Sequence, residues 1–131
     1  MTSRFEVQIY YEDTDHSGVV YHANYLKYFE RAREHMLGTA ELRRLLVEDG
    51  IGFVVYKAEL TYKKGAVFGD TITIETRADK ESPYRAVFHQ TAKRGAEVLV
   101  EGKVELVCVG RDEKLVTLPA SAVAAMEAGS A

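Results

Sequence analysis

The densest run of chemically capable side chains is Glu12-Asp13-Thr14-Asp15-His16-Ser17-Gly18, followed by Val19-Val20-Tyr21 and then His22-Ala23-Asn24. Carboxylates, imidazoles and a hydroxyl at such spacing suit acid–base or nucleophilic work. A helical pattern begins at Asn24, and the first turn of a helix leaves amide N–H groups unpaired, with about half a positive charge between them. A carboxylate returned to that end, Asp15 above all, can attack a carbonyl or deprotonate an attacking water while those amides stabilise the developing oxyanion. The plainer reading is structural: Asp and Ser before a helix commonly shape turns and caps, and a lone His22 commonly makes a structural hydrogen bond. Asp13, Asp15 and His16 lie too close along the chain to converge readily on one ion, and no His/Cys pair has ligand spacing, so no metal is expected. There is no GxGxxG, no GxxxxGK[ST] and no GxSxG, which leaves nucleotide-fold and serine-elbow readings without support.

The elements that must position these residues follow from the apolar period. Phe5, Val7, Ile9 and Tyr11 alternate with polar neighbours and predict a strand. Tyr25, Tyr28, Phe29, Ala32 and Met36 then fall on one helical face, with Asn24 as the expected N-cap and Gly38 as the stop. Thr39 is expected to cap a shorter helix carrying Leu42, Leu45 and Leu46, ended by Gly50. From Ile51 to Val109 the chain reads as four strands. The first is the single row Val54, Tyr56, Ala58, Leu60 and Tyr62, and the intervals predict an antiparallel meander. Pro119 is expected at the first position of a terminal helix, and the small-residue end from Glu127 is expected to fray. The Tyr25–Met36 stripe is the one long cover expected for the sheet. An uncovered or unpaired edge then predicts self-association, with edge-to-edge pairing as one route.

Length and composition set bounds. The 131 residues fit one domain spanning 1–131, and 47% apolar with 28% charged residues is ordinary globular usage. Seventeen basic against 20 acidic side chains give a net charge of -3, which argues against a general nucleic-acid or anionic-membrane binder. The lone Cys108 cannot pair within the chain and suits a reducing compartment. No secretory leader pattern and no spanning apolar run are visible, so the expectation is a cytoplasmic protein with no integral membrane segment.

The run from Tyr10 to Tyr25, continued through Phe29-Glu30-Arg31-Ala32-Arg33, resembles the signature of hotdog-fold acyl-CoA thioesterases. It is most similar to the branch associated with the bacterial Tol–Pal system and more distantly similar to 4-hydroxybenzoyl-CoA thioesterase. Weaker likeness extends through Phe53–Tyr56, Glu97–Val100 and Leu106–Val109. The resemblance implies an α+β hotdog fold, a long central helix wrapped by a five- to six-stranded antiparallel sheet. It implies hydrolysis of acyl-CoA to a free acid and CoA with no cofactor, CoA being part of the substrate. Asp15 matches the catalytic carboxylate, and the amides near His22 and Ala23 match the donors that polarise the thioester carbonyl. Tyr21, Asn24 and Tyr25 are the expected lining of the substrate site. Lys80 and Arg85, with Lys63 and Lys64, are candidates to meet the CoA phosphates, solvated surface charge being the alternative for each, and 80–85 departs from the basic cluster some relatives use. His16 and Ser17 also depart, standing where relatives often have small residues. The resemblance further implies a homotetramer built as a dimer of dimers, with a link to the Tol–Pal envelope machinery. Two other functions stay open at this level: an enoyl-CoA hydratase using His22 or His16, and a non-catalytic acyl-CoA-binding or interaction module.

Overall fold

The computed structural model describes residues 2–130. Strand β1 (Ser3–Gln8) buries Val7 on one face, and Ile9 just beyond it is fully buried. Helix α1 (Asn24–Leu37) buries Tyr25, Tyr28, Phe29, Ala32, Arg33 and Leu37. It stops at Gly38, whose φ of 94° is a backbone angle that costs a residue with a Cβ. The short helix α2 (Thr39–Arg44) runs on into a π-helical turn at Leu45–Asp49, ended by left-handed Gly50. Strands β2 (Gly52–Tyr62), β3 (Thr71–Lys80), β4 (Arg85–Arg94) and β5 (Glu97–Val109) follow, then the two-residue β6 (Leu115–Val116) and helix α3 (Ala120–Ser130).

All six strands form one antiparallel sheet in the order β1-β3-β4-β5-β2, with β6 beside β5. The expected α+β architecture, a long helix against an antiparallel sheet, is present. The continuous meander is not. β1 occupies the edge of β3, so β2 pairs with β5, and the intervening residues 63–70 cross one end of the sheet. The single alternating row in β2 is also corrected. A bulge between Val55 and Lys57 puts Phe53 and Val55 opposite buried Cys108 and Leu106, while Ala58 and Leu60 lie opposite Val104 and Gly102. Tyr56 falls on the other face. An inserted residue reverses the alternation that sequence spacing assumes.

Two apolar clusters make the core. One joins α1 to the ends of β1, β3 and β5 through Tyr25, Tyr28, Phe29, Ile72 and Ile74; the other joins Leu37, Phe88 and Leu106 to Ala122 and Met126 of α3. Helix α3 is thus a second cover, where sequence spacing offered one. Its end does not fray within the described residues. The Ala78 amide donates to the Ser130 hydroxyl at 2.8 Å and the Ser3 hydroxyl to the Gly129 carbonyl at 3.2 Å. Pro119 precedes the helix rather than opening it, its carbonyl accepting from the Val123 amide at 3.1 Å. Gly102 allows Phe29 to press on β5, since an added Cβ would fall 2.5 Å from the ring. Arg33, buried in this packing, donates to Gln90 Oε1 at 3.0 Å, and Gln90 Nε2 donates to the Phe29 carbonyl at 2.9 Å. Burial lowers the guanidinium pKa to about 10, so it stays charged at neutral pH.

Candidate active site

The chemically dense loop is a small hairpin laid over the crossing segment. The Asp15 amide donates to Val19 O at 2.9 Å, and the Tyr21 amide donates to Asp13 O, also at 2.9 Å. Val20 then ties the hairpin to the Ala66 carbonyl at 2.9 Å, and Val19 forms a bridge with Val67. Asp13 shapes the approach: its Oδ2 accepts the Tyr10 amide at 2.8 Å and its carbonyl accepts Asn24 Nδ2 at 2.9 Å. Asn24 is therefore no N-cap. It is the first helical residue, and its side chain donates backward to the loop instead of accepting from the first turn. Thr39 likewise opens α2 rather than capping it, Gly38 standing at the cap.

Asp15 sits at the hairpin tip, half-buried. Its Oδ1 accepts both the Ser17 hydroxyl at 2.5 Å and the Ser17 amide at 2.8 Å. These two bonds, with smaller help from the nearby imidazoles of His16 and His22, hold the carboxyl below its ordinary pKa despite partial desolvation. The result is a carboxylate ionised at neutral pH, with both Ser17 bonds on one oxygen and Oδ2 left to meet a substrate.

The helix mouth follows directly. Amides of Asn24, Tyr25 and Leu26 turn back to the carbonyls of Tyr21, His22 and Ala23 at 2.9, 3.4 and 3.2 Å. The amides of His22 and Ala23 meet no acceptor among the described residues. Two peptide donors thus stand free at the start of the helix, on the connection that carries the ionised Asp15, and free amides of this kind can hold a carbonyl oxygen as it gains charge. The Tyr62 hydroxyl donates to the His22 carbonyl at 3.1 Å. Among the described residues, no group of three or more His, Cys, Asp and Glu side chains is disposed to hold a metal ion.

The remaining candidates divide between the two ends of the sheet. Tyr21 is exposed beside His22, with ring centroids 4.6 Å apart, and Asn24 is half-buried under the hairpin. Tyr25 is only 2% exposed, and its hydroxyl accepts the Ala66 amide at 3.2 Å, so within one chain it supports the site from beneath. Lys63 and Lys64 stand at the Asp15 end but are paired with Glu101 and Glu97 at 3.3 and 2.6 Å. Lys80 and Arg85 lie at the opposite end, where β3 finishes and β4 starts. One chain does not bring them to Asp15. Arg85 donates to the Tyr56 hydroxyl at 2.7 Å and pairs with Glu81, while its Nε is buried without an acceptor. It borders a cleft of about 510 Å³ with Tyr56, Tyr84, Val107 and Leu115. Sequence spacing gives Ser17 and Tyr56 no role of their own, although the Asp-x-Ser spacing that lets Ser17 reach Asp15 is a local signal. Tyr62 could not be found that way: 40 residues separate it from His22.

The family model of the thioesterase-like superfamily matches residues 10–126. The chain is 38% identical over 107 residues to the acyl-CoA thioesterase YbgC of Haemophilus influenzae, covering 80% of this chain and 79% of that protein. It is 37% identical over 108 residues to the acyl-CoA thioester hydrolase YbgC of Escherichia coli, covering 81% of each. The crystal structure of a probable thioesterase from Bartonella henselae superposes with a TM-score of 0.85 at 32% identity, covering 91% of this chain and 100% of that one. The matched region takes in the carboxylate hairpin, the helix mouth and nearly all of the sheet, and on these likenesses the chain belongs to the thioesterase-like superfamily, with its hotdog fold.

Proposed function

We propose that this protein is an acyl-CoA thioesterase, hydrolysing the thioester to a carboxylic acid and free CoA. The relatives' activity supports the reading, and the observation that carries it is the ionised Asp15 on the connection whose end leaves the His22 and Ala23 amides unpaired. In this scheme the thioester oxygen sits on those amides. Either Asp15 takes a proton from an attacking water, the acid forming as the CoA thiolate leaves and is protonated, or Asp15 itself attacks the carbonyl carbon and expels the thiolate, leaving an acyl-aspartyl anhydride that a water then hydrolyses to the acid and the free carboxylate. Tyr21 and Asn24 border the reacting group and Tyr25 backs it. No cofactor enters the scheme. The test is thiol release across a panel of saturated acyl-CoA esters, with Asp15→Asn alongside. Turnover lost in that variant supports the reading. Absence of thiol release from every ester would sink it, whether by favouring a hydratase or a binding module.

Assembly completes the substrate path in this reading. β2 leaves an 11-residue edge free, with Val54, Val55, Tyr56 and Tyr62 exposed along it. Antiparallel pairing with a second β2 sets the Tyr62 end of one copy level with the Phe53 end of the other. Arg85 of the partner subunit then comes to the side that carries Asp15, where it and Lys80 of the partner subunit can meet the CoA phosphates while the pantetheine arm runs between copies. Dimers of this kind pair into a tetramer. Sedimentation of Val55→Lys checks the edge: wild-type mass in that variant would exclude it. The reading also places the protein in the cytoplasm, a setting the buried lone thiol of Cys108 fits, its pKa pushed up to about 12 by burial. Among the described residues no helix is long and apolar enough to cross a membrane. A working link to the Tol–Pal envelope machinery rests on the Tyr10–Tyr25 resemblance, and detergent sensitivity of a deletion strain would test it.

A further inference from the structure

Tyr62 is the last residue of β2, the free edge of the sheet. Its ring stands edge-on to Tyr25 at 5.9 Å and to His22 at 6.0 Å, and its hydroxyl donates to the His22 carbonyl at 3.1 Å. That carbonyl shares one peptide plane with the Ala23 N–H. The described chain contains no cis peptide bond, so the two groups point in opposite directions. A donor fixed on the oxygen therefore sets where the N–H points, and by polarising the peptide makes that N–H a stronger donor. The helix holds the same oxygen only through the Tyr25 amide at 3.4 Å. Its own first turn leaves the peptide loosely held.

We propose that Tyr62 is a positioning residue: from the sheet edge it holds the His22–Ala23 peptide so that the Ala23 N–H faces the thioester oxygen as that oxygen gains charge. This rests on the thioesterase reading above and deepens it. One strand then both offers the edge on which a second copy pairs and carries the hydroxyl that orients an oxyanion donor, which couples assembly to the geometry of the helix mouth.

The experiment compares wild type with Tyr62→Phe, which keeps the ring and removes only the hydroxyl. Removing an oxyanion donor outright costs about 10²–10³ in kcat, and releasing its orientation should cost about 10-fold. KM is expected to stay within about twofold, with melting temperature and sedimentation unchanged. A trifluoromethyl ketone analogue of acyl-CoA, whose oxygen becomes charged on attack, should bind Tyr62→Phe about 10-fold more weakly, while a thioether analogue binds both proteins alike. Placing 4-aminophenylalanine at this position returns a donor and should restore both kcat and ketone affinity. Unchanged kcat and unchanged ketone affinity in Tyr62→Phe would overturn the proposal. Equal weakening of both analogues, or altered sedimentation, would overturn it too by making Tyr62 a packing residue. Asp15→Asn in the same series separates the failures. If it turns over normally, the thioesterase site itself has been misread; if it is dead while Tyr62→Phe is normal, only the present proposal falls.

Discussion

The two ends of the sheet are polar in different ways. Where β1 and β2 finish, the candidate groups are one short carboxylate held by Ser17 and two backbone amides at the helix mouth, beside a carbonyl that accepts from Tyr62. Where β3 turns into β4, they are the long side chains of Lys80 and Arg85, Arg85 bordering an open cleft with two exposed tyrosines. Backbone donors and a carboxylate bonded to a neighbour two residues away have few torsions of their own, which suits charge that develops only in the transition state. A guanidinium on a flexible stem suits a charge already present in the bound ground state. The contrast predicts that one end governs kcat and the other governs KM.

The largest expected effect tests the chemical end. Asp15→Asn keeps an acceptor for Ser17 and so keeps the hairpin, yet should lower kcat by roughly 10²–10⁴ with little change in melting temperature. Thiol-release kinetics and thermal denaturation together check this, and a variant equally slow but unfolded would erase the contrast. Next comes the middle of the sheet, which should be neutral between the ends. Gly102→Ala drives a Cβ into the buried Phe29 ring and should cost about 1–3 kcal/mol of stability, read as a melting temperature several degrees lower. Surviving protein should show kcat and KM reduced or raised at neither end selectively.

Arg85→Gln tests the binding end. It should raise KM for acyl-CoA about 10-fold while leaving kcat nearly unchanged. The same variant should match wild type on acyl N-acetylcysteamine thioesters, which lack the nucleotide and its phosphates. An equal loss on both substrates would place Arg85 in structure rather than in recognition. The smallest effect is on pH. In wild type the Ser17 bonds depress the Asp15 pKa, so the active, ionised form persists to lower pH than an ordinary carboxylate would allow. Ser17→Ala removes the hydroxyl bond and leaves the amide bond. The acid limb of kcat/KM should therefore move up toward the ordinary carboxylate range, with rates above neutral pH little changed. A pH–rate profile superimposable on wild type would show that Ser17 does not tune the base.

Local signals account for what was legible in advance. The period of Tyr25, Tyr28, Phe29 and Ala32 defines α1 because a helix on a sheet must bury one stripe, and Gly38 marks its end because few other residues accept that backbone angle. The carboxylate loop was legible through its composition and its likeness to a known signature. What failed were inferences that spacing cannot carry. The β2 row read as continuous because a bulge leaves no mark in an alternating apolar run, and Asn24 read as a cap because its side chain's direction depends on the Asp13 carbonyl, 11 residues away.

The sequence by itself determined the elements, the apolar faces they must bury and the cluster of groups between β1 and α1, since each depends on neighbours within a few residues. Only the tertiary structure decided that β2 pairs with β5, that Lys80 and Arg85 lie at the far end from Asp15, and that Tyr62 touches the His22 carbonyl. Those facts come from how the strands are ordered across the sheet. That order is fixed by which edges remain free once the core is packed, a competition among distant segments that no local window of residues contains.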